Sequence, residues 1–318
     1  MTLPRFAVHI ARCAAAIGLA LAWTGFGTST AVGQPDLFVP GTADSSGLVD
    51  IGGGRMIYLE CRGMGSPTVL LVSGAGVAAD NWSYTGDPND TENGAKRTEH
   101  AVYPSVATFT RVCAYDRPGT EQMDDAPSRS TPAPQPTTTQ TDAADLHALV
   151  SAAQLSGPYI LVGHSWGGLI AQTYARTFPS EVSGLVLVDP SSQFLPTVLP
   201  TDVWANWIES LVEHGREHPG VESTNYPASI GQLAATPAIP AIPVSVLSAD
   251  KPFDYLGIGN ADTFWPQWLE AAAKLSAYLG ATHITATNSD HFIENESPAL
   301  VIGQICAVAR APRACPAI

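Results

Sequence analysis

Short runs of consecutive apolar residues, rich in β-branched side chains, recur along the chain with segments of helical spacing between them. Six are clear, at residues 56–61, 68–72, 111–115, 159–162, 185–188 and 244–247. Runs that are apolar throughout, rather than alternating, belong to strands covered on both faces. A seventh run, 283–287, alternates threonine with other residues and fits an edge strand. Helical spacing covers 142–153, 167–178, 265–279 and 299–309. Strand and helix in alternation predict an α/β fold, a mainly parallel sheet with helices on both faces.

Three stretches break this alternation. Residues 80–105 are polar and rich in Asn, Asp and Gly, which predicts an excursion over the surface. Residues 119–140 form a proline- and threonine-rich connection in which nothing demands a packed core. Residues 190–243 have a helical pattern around 203–212, with Trp204 and Trp207, and are a candidate lid insertion.

The N-terminus has a different character. Arg5, His9 and Arg12 precede an apolar stretch, 14–26, that is short for a bilayer-spanning helix, and small residues follow it. This is the layout of an export signal over residues 1–33, with cleavage before Gln34. A cut before Val32 or an uncleaved anchor are the alternatives. Residues 34–47 then form an N-terminal extension and 48–318 one domain. Removing 1–33 leaves 13 basic against 29 acidic residues, net −16 in place of −14. Such a surface repels phosphates and anionic lipid, which argues against a nucleic-acid partner or a polybasic anchor, and no longer apolar run follows, which argues against a stable membrane span after cleavage.

Cys13 lies in the signal, so the exported chain keeps Cys61, Cys113, Cys306 and Cys315. An even set without zinc-type Cys/His spacing reads as disulfides in an oxidising, extracytoplasmic compartment. Three pairings are open, and four free thiols are the alternative.

The sharpest chemical signal is Gly163-His164-Ser165-Trp166-Gly167, placed directly between the run 159–162 and the helical segment 167–178. A nucleophile on a tight strand-to-helix turn needs glycine on both sides, because a Cβ there would meet neighbouring backbone. The Trp166 amide at the helix start is then aimed at the oxyanion that forms when Ser165 attacks a carbonyl. A serine hydroxyl also needs a base. His291, in Asn288-Ser-Asp-His-Phe292 between the last strand and the last helix, is the best placed of eight histidines. His100, His147, His214 and His218 sit in polar or helical settings, His164 is held on the turn itself, and His283 lies within a strand.

With these residues in view, the chain resembles the α/β-hydrolase family over residues 48–310, and one group of exported esterases in particular. The likeness is carried by Gly65-Ser-Pro-Thr-Val-Leu-Leu-Val-Ser-Gly74, Arg111-Val-Cys-Ala-Tyr-Asp-Arg117, Gly157-Pro-Tyr-Ile-Leu-Val-Gly-His-Ser165, Gly184-Leu-Val-Leu-Val-Asp189 and Asp290-His-Phe292. The resemblance implies an eight-stranded, mostly parallel sheet with a small lid, the chain order serine, acid, histidine, and no metal or organic cofactor. It makes the Ala75 amide the second oxyanion donor, after Ser73-Gly74 where many relatives have His-Gly. It also makes the strands of Cys61 and Cys113 neighbours, hence a Cys61–Cys113 bridge. Cys306 and Cys315 then close a short loop at the C-terminus.

The acid is the open position. Most relatives place it after the strand that here runs 244–247, where Asp250 comes slightly early and Asp254 late, and Lys251 offers Asp250 another partner. Asp189, at the tip of the strand beside the nucleophile, is preferred, with Asp250 as the alternative. The expected activity is hydrolysis of a small ester with an apolar part, met by Trp204, Trp207, Phe253, Tyr255, Trp265 and Trp268. Epoxide hydrolases and dehalogenases of this fold carry aspartate at the turn, which Ser165 argues against. Perhydrolases and peptidases sharing the triad stay open, as does a non-catalytic binding protein on the same shell.

Overall fold

The computed structural model describes residues 36–90, 94–253, 261–309 and 315. Residues 1–33, expected to form an export signal, the expected cut before Gln34, Asp254 and Tyr255 lie outside the described residues.

Eight strands form one sheet. In chain order they are β1 (Ser45–Gly52), β2 (Arg55–Arg62), β3 (Val69–Val72), β6 (Val112–Tyr115), β7 (Tyr159–His164), β8 (Val182–Val188), β9 (Val244–Leu247) and β10 (Thr282–Ile284). Their spatial order is β1-β2-β6-β3-β7-β8-β9-β10, and β4 (Tyr84–Thr85) and β5 (Lys96–Arg97) make a separate ribbon. β1 pairs antiparallel with β2, and β2 with β6; from β6 to β10 every pairing is parallel. The split matches the side chains. β3, β6, β7 and β9 are buried at every position, whereas β2 alternates buried and half-buried. Only a strand covered on both faces needs an unbroken apolar run.

The central side chains divide between the faces. Leu70, Val72, Leu161, Leu185 and Leu187 pack with Leu146, Ile170 and Leu275 of the helices Thr139–Ala152, Trp166–Thr177 and Ala261–Leu279. Val69, Leu71, Ile160, Val162 and Val186 pack with Val106, Val301 and Ile305 of Val102–Val106 and Pro298–Ala309 on the other face. Cys61 and Cys113 are register partners on β2 and β6 and are bridged, as are Cys306 and Cys315. Among the described residues no helix is long and apolar enough to cross a membrane.

Four sequence expectations shift. β1 begins at Ser45, inside the stretch read as an extension, and residues 36–38 lie against it through Leu48 N–H to Asp36 O (2.9 Å) and Phe38 N–H to Leu48 O (3.1 Å). β10 stops at Ile284 rather than 287, because the Thr287 and Ser289 amides turn to the Asp250 carboxylate instead of a ladder. The start of 80–105 is not a surface excursion: the 3-10 turn Ala79–Ser83 is buried throughout, with the Trp82 indole donating to Ser73 Oγ at 3.0 Å. The 119–140 connection is packed along β2, where the buried Ser130 hydroxyl accepts from Tyr58 N–H at 2.8 Å and donates to Asp116 O at 2.7 Å. In both, polar side chains satisfied by distant partners have the composition of a surface.

The insertion 190–243 carries three helices, Leu195–Val198, Thr201–Glu217 and Tyr226–Ala234. In the long one Trp207 is the buried residue.

Candidate active site

β7 ends at His164 and the helix Trp166–Thr177 begins two residues later, so Ser165 alone makes the turn, with φ 51° and ψ −118°. The neighbouring glycines are sterically required. A Cβ on Gly163 would lie 2.4 Å from Gly167 O, and one on Gly167 would lie 2.1 Å from Val72 O. Their absence lets the helix seat directly on β3 and β7. Ser165 N–H donates to Val188 O at 3.0 Å, and Ser165 O accepts from Ser191 N–H at 2.9 Å, so the turn is fixed on both sides.

His291 reaches the same place from the loop after β10. Its Nδ1 is 2.6 Å from Asp189 Oδ2, and the other oxygen, Oδ1, accepts the Ala249 amide at 3.0 Å. All three side chains are buried: Ser165 and Asp189 are 0% exposed and His291 2%. Burial drives the imidazole below its ordinary value and pushes Asp189 up to about 8 against the pull of the Ala249 amide. Asp250 stands apart from this cluster. It is exposed, and its carboxylate accepts from Thr287 N–H (3.1 Å) and Ser289 N–H (3.0 Å), while Lys251 pairs with Glu296 (3.2 Å) rather than with Asp250.

On the opposite side of Ser165 lies the loop after β3. A Cβ on Gly74 would meet His164 Nδ1 at 2.8 Å and Ser165 Cβ at 3.4 Å, so only glycine lets this loop approach the turn. Ala75 follows it. Among the described residues neither the Ala75 nor the Trp166 amide donates a hydrogen bond. Ser73 donates its hydroxyl to Ala78 O at 3.1 Å, one of the bonds that close the loop.

Around this cluster His164, read from the sequence as held on the turn, meets residues that the sequence did not single out. His164 Nε2 is 2.9 Å from His291 O, and its Nδ1 is 3.0 Å from Glu294 Oε1, which also accepts from Asn81 Nδ2 at 3.0 Å. Burial, with the charge of His291 next, holds His164 well below its ordinary value, and burial pushes Glu294 up to about 8. A charged residue directly after the apolar pair Phe292-Ile293 was the available signal. Arg117 closes the motif 111–117 without a role read for it, and Glu222, its partner in a fully buried ion pair 105 residues away, offered no signal.

Of the candidate pocket aromatics, Phe253 and Trp268 have ring centroids 4.8 and 5.5 Å from His291. Trp207 joins Trp268 (6.4 Å) to Tyr226 (4.7 Å), which stacks edge-on against Trp166 (4.7 Å). Trp204 and Trp265 lie at the half-buried margin. Tyr226 and Phe264 complete the cluster without having been singled out in the sequence.

The chain has counterparts in sequence and fold. The chain is 32% identical to an uncharacterized protein of Schizosaccharomyces pombe over 147 residues, 43% of this chain but only 26% of that protein, so it spans about a quarter of that relative's length. It is 22% identical to the uncharacterized protein YqjL of Bacillus subtilis over 245 residues, 76% of this chain and 82% of that one. Among solved structures it superposes on a thermophilic esterase from Thermogutta terrifontis with a TM-score of 0.56 at 19% identity, covering 85% of this chain and 98% of the esterase, a likeness of fold. The sequence pattern described as the alpha/beta hydrolase family matches residues 69–304, from the first residue of β3 into the last helix, and takes in the turn, both aspartates and the histidine loop. The chain belongs to the alpha/beta hydrolase family.

Proposed function

We propose that this protein is a serine hydrolase that cleaves carboxylic esters through an acyl-enzyme, with Ser165 as nucleophile, His291 as base and Asp189 as the acid. The observation that carries the reading is the buried His291–Asp189 contact of 2.6 Å beside a serine at a left-handed turn. A proton on Nδ1, held by Asp189, leaves Nε2 as the basic nitrogen. Ser165 Oγ attacks the ester carbonyl carbon as its proton passes to His291. The Ala75 and Trp166 amides receive the oxyanion. The imidazolium then protonates the departing alkoxide, and water, deprotonated by His291, releases the acid and restores Ser165.

The aromatic cluster from Trp207 to Phe253 favours an ester with an apolar part. The two disulfides favour an exported protein cut near residue 33, and Trp207, packed into that cluster from the insertion 190–243, favours a cover over the site. The decisive experiment joins a fluorophosphonate probe to p-nitrophenyl esters of graded chain length. The wild type should label once, at Ser165, and turn over the esters. Ser165→Ala should label nowhere and lose activity by roughly a million-fold. Ester turnover that survives in Ser165→Ala would overturn the mechanism. A folded wild type that neither labels nor turns over would mark a binding protein on a hydrolase shell.

A further inference from the structure

The loop that carries Ala75 is held on both of its polar edges. Arg117, just after β6, donates from Nη1 to Ser73 O at 2.8 Å and from Nη2 to Gly74 O at 2.6 Å. Its Nε and Nη2 also donate to Glu222 Oε1 and Oε2 at 2.6 and 3.0 Å. Glu222 completes the ring by accepting the Gly76 amide on Oε2 at 2.6 Å. The carbonyls before Ala75 thus go to the guanidinium, and the amide after it goes to the carboxylate. With side chains 2% and 1% exposed, the two ions have no solvent to compete for these bonds.

Glu222 belongs to the 190–243 insertion, and its own backbone is pinned. Its N–H donates to Gly119 O at 2.8 Å, where a Cβ on Gly119 would lie 2.6 Å from Glu222 N. Next to it Thr137 N–H donates to Ser223 O (2.8 Å) and Asn225 N–H to Thr137 O (2.9 Å). Thr137 Oγ1 donates to Asp142 Oδ1 at 2.6 Å, and Asp142 Oδ2 accepts the Trp166 indole at 3.1 Å. Both residues with free amides are therefore tied to one stretch of the insertion. Burial, with the Glu222 charge next, pushes Asp142 up to about 7, so the carboxylates also sense one another.

We infer that Glu222, acting with Arg117, is a positioning residue of the oxyanion hole, so that the strand-like stretch 221–225 of the insertion is part of the catalytic apparatus rather than of a movable cover. The inference rests on the serine-hydrolase reading above. It gives the insertion two roles: the helix Thr201–Glu217 shields the site, and the stretch after it sets where the Ala75 amide points. An oxyanion donor displaced by about 1 Å loses most of its transition-state contact, a loss of about a hundred-fold in rate.

The test compares Glu222→Gln and the double variant Arg117→Met/Glu222→Met with wild type, each normalised to sites titrated by the fluorophosphonate. An isosteric amide keeps the shape at 222, and the apolar pair removes both buried charges together, the change a fold tolerates best. The expected result is kcat per titrated site lowered about a hundred-fold, KM within about threefold, and affinity for an alkyl boronic acid, whose tetrahedral adduct places an oxygen at the oxyanion position, weakened by the same factor as kcat/KM. A purely structural role would lower the number of titrated sites and leave per-site turnover and boronate affinity unchanged, and that result in either variant overturns the inference. Loss of wild-type labelling at Ser165 would instead bring down the serine-hydrolase reading, so the two failures are distinct.

Discussion

The ends of β8 and β9 lie side by side, and each delivers an aspartate to the loop that carries His291, yet the two carboxylates meet different environments. Asp189 directly follows β8, is fully buried with φ 38°, donates its N–H to Leu247 O at 2.8 Å, and touches the imidazole. Asp250 sits three residues beyond β9, faces solvent, and accepts the backbone amides of Thr287 and Ser289. Burial pushes Asp189 above the usual carboxylate range. At Asp250 desolvation works in that same direction, but the amides of Asn288, Ser289 and Thr287 outweigh it and hold the group below its ordinary value. One acid aims a ring; the other shapes the backbone that carries it. Chain position favours Asp189, at the tip of the strand beside the nucleophile, and burial and backbone conformation separate the two environments.

The comparison breaks most visibly at Asp189. Asp189→Asn is expected to lower kcat by about four orders of magnitude, since the neutral amide no longer enforces the tautomer or stabilises the imidazolium. Asparagine adopts positive φ more readily than most residues, so Tm should stay within a few degrees and the loss should belong to catalysis. Steady-state kinetics with a melting curve on the same preparation decides it. Asp250→Asn should cost no more than about tenfold, because its loop keeps the Asp250 and Lys251 amides bonded to Ser289 O at 3.0 and 3.1 Å. Were Asp250→Asn the inactive variant and Asp189→Asn an active one, the roles drawn here would be reversed.

Two pH measurements sharpen the same contrast. In the proposed mechanism the active form has His291 unprotonated, and burial lowers its pKa, so kcat/KM should stay high through neutrality and fall on acidification with a midpoint below about 6.5. A midpoint above that value would mean that the Asp189 charge, not burial, dominates the ring. For Asp250 the folded-state pKa is depressed, so its contribution to stability is present above the unfolded value and disappears as pH falls through the folded one. The Tm gap between wild type and Asp250→Asn should therefore be present at neutral pH and close on acidification below about pH 4. A gap that persists in acid would remove the carboxylate from the account.

Much of this was legible in the amino-acid order because the determinants are local. A strand inside a parallel sheet must be apolar throughout, so the five runs that became β3, β6, β7, β8 and β9 announced themselves, and Gly163 is dictated by a contact with Gly167 only four residues away, whereas Gly167 answers to Val72 on β3. Asp189 could be preferred to Asp250 for its place at the tip of the strand beside the nucleophile, but burial and φ, which separate their surroundings, are properties of the folded chain. Glu222 and Asn81 carried no signal, Arg117 stood in a recognised motif without a role, and Glu294 was marked only by its place after Phe292-Ile293, all for a related reason. Each is a buried polar group whose partner lies tens to hundreds of residues away, and until that partner is in place such a residue is indistinguishable from one that faces water.

The turn at Ser165 has a consequence for how the protein responds to selection. A non-glycine residue at φ 51° and ψ −118° stores about 1–3 kcal/mol of backbone strain. Its buried hydroxyl makes no hydrogen bond among the described residues, a further penalty of about 1–3 kcal/mol. Glycine at that position would escape both, against an entropic cost of about 0.5–1 kcal/mol in the unfolded chain. The residue on which the proposed chemistry depends is thus one the fold would be better without. A mutant library screened for heat resistance alone should discard this serine early, and the clones that keep it will be those also asked to turn over an ester.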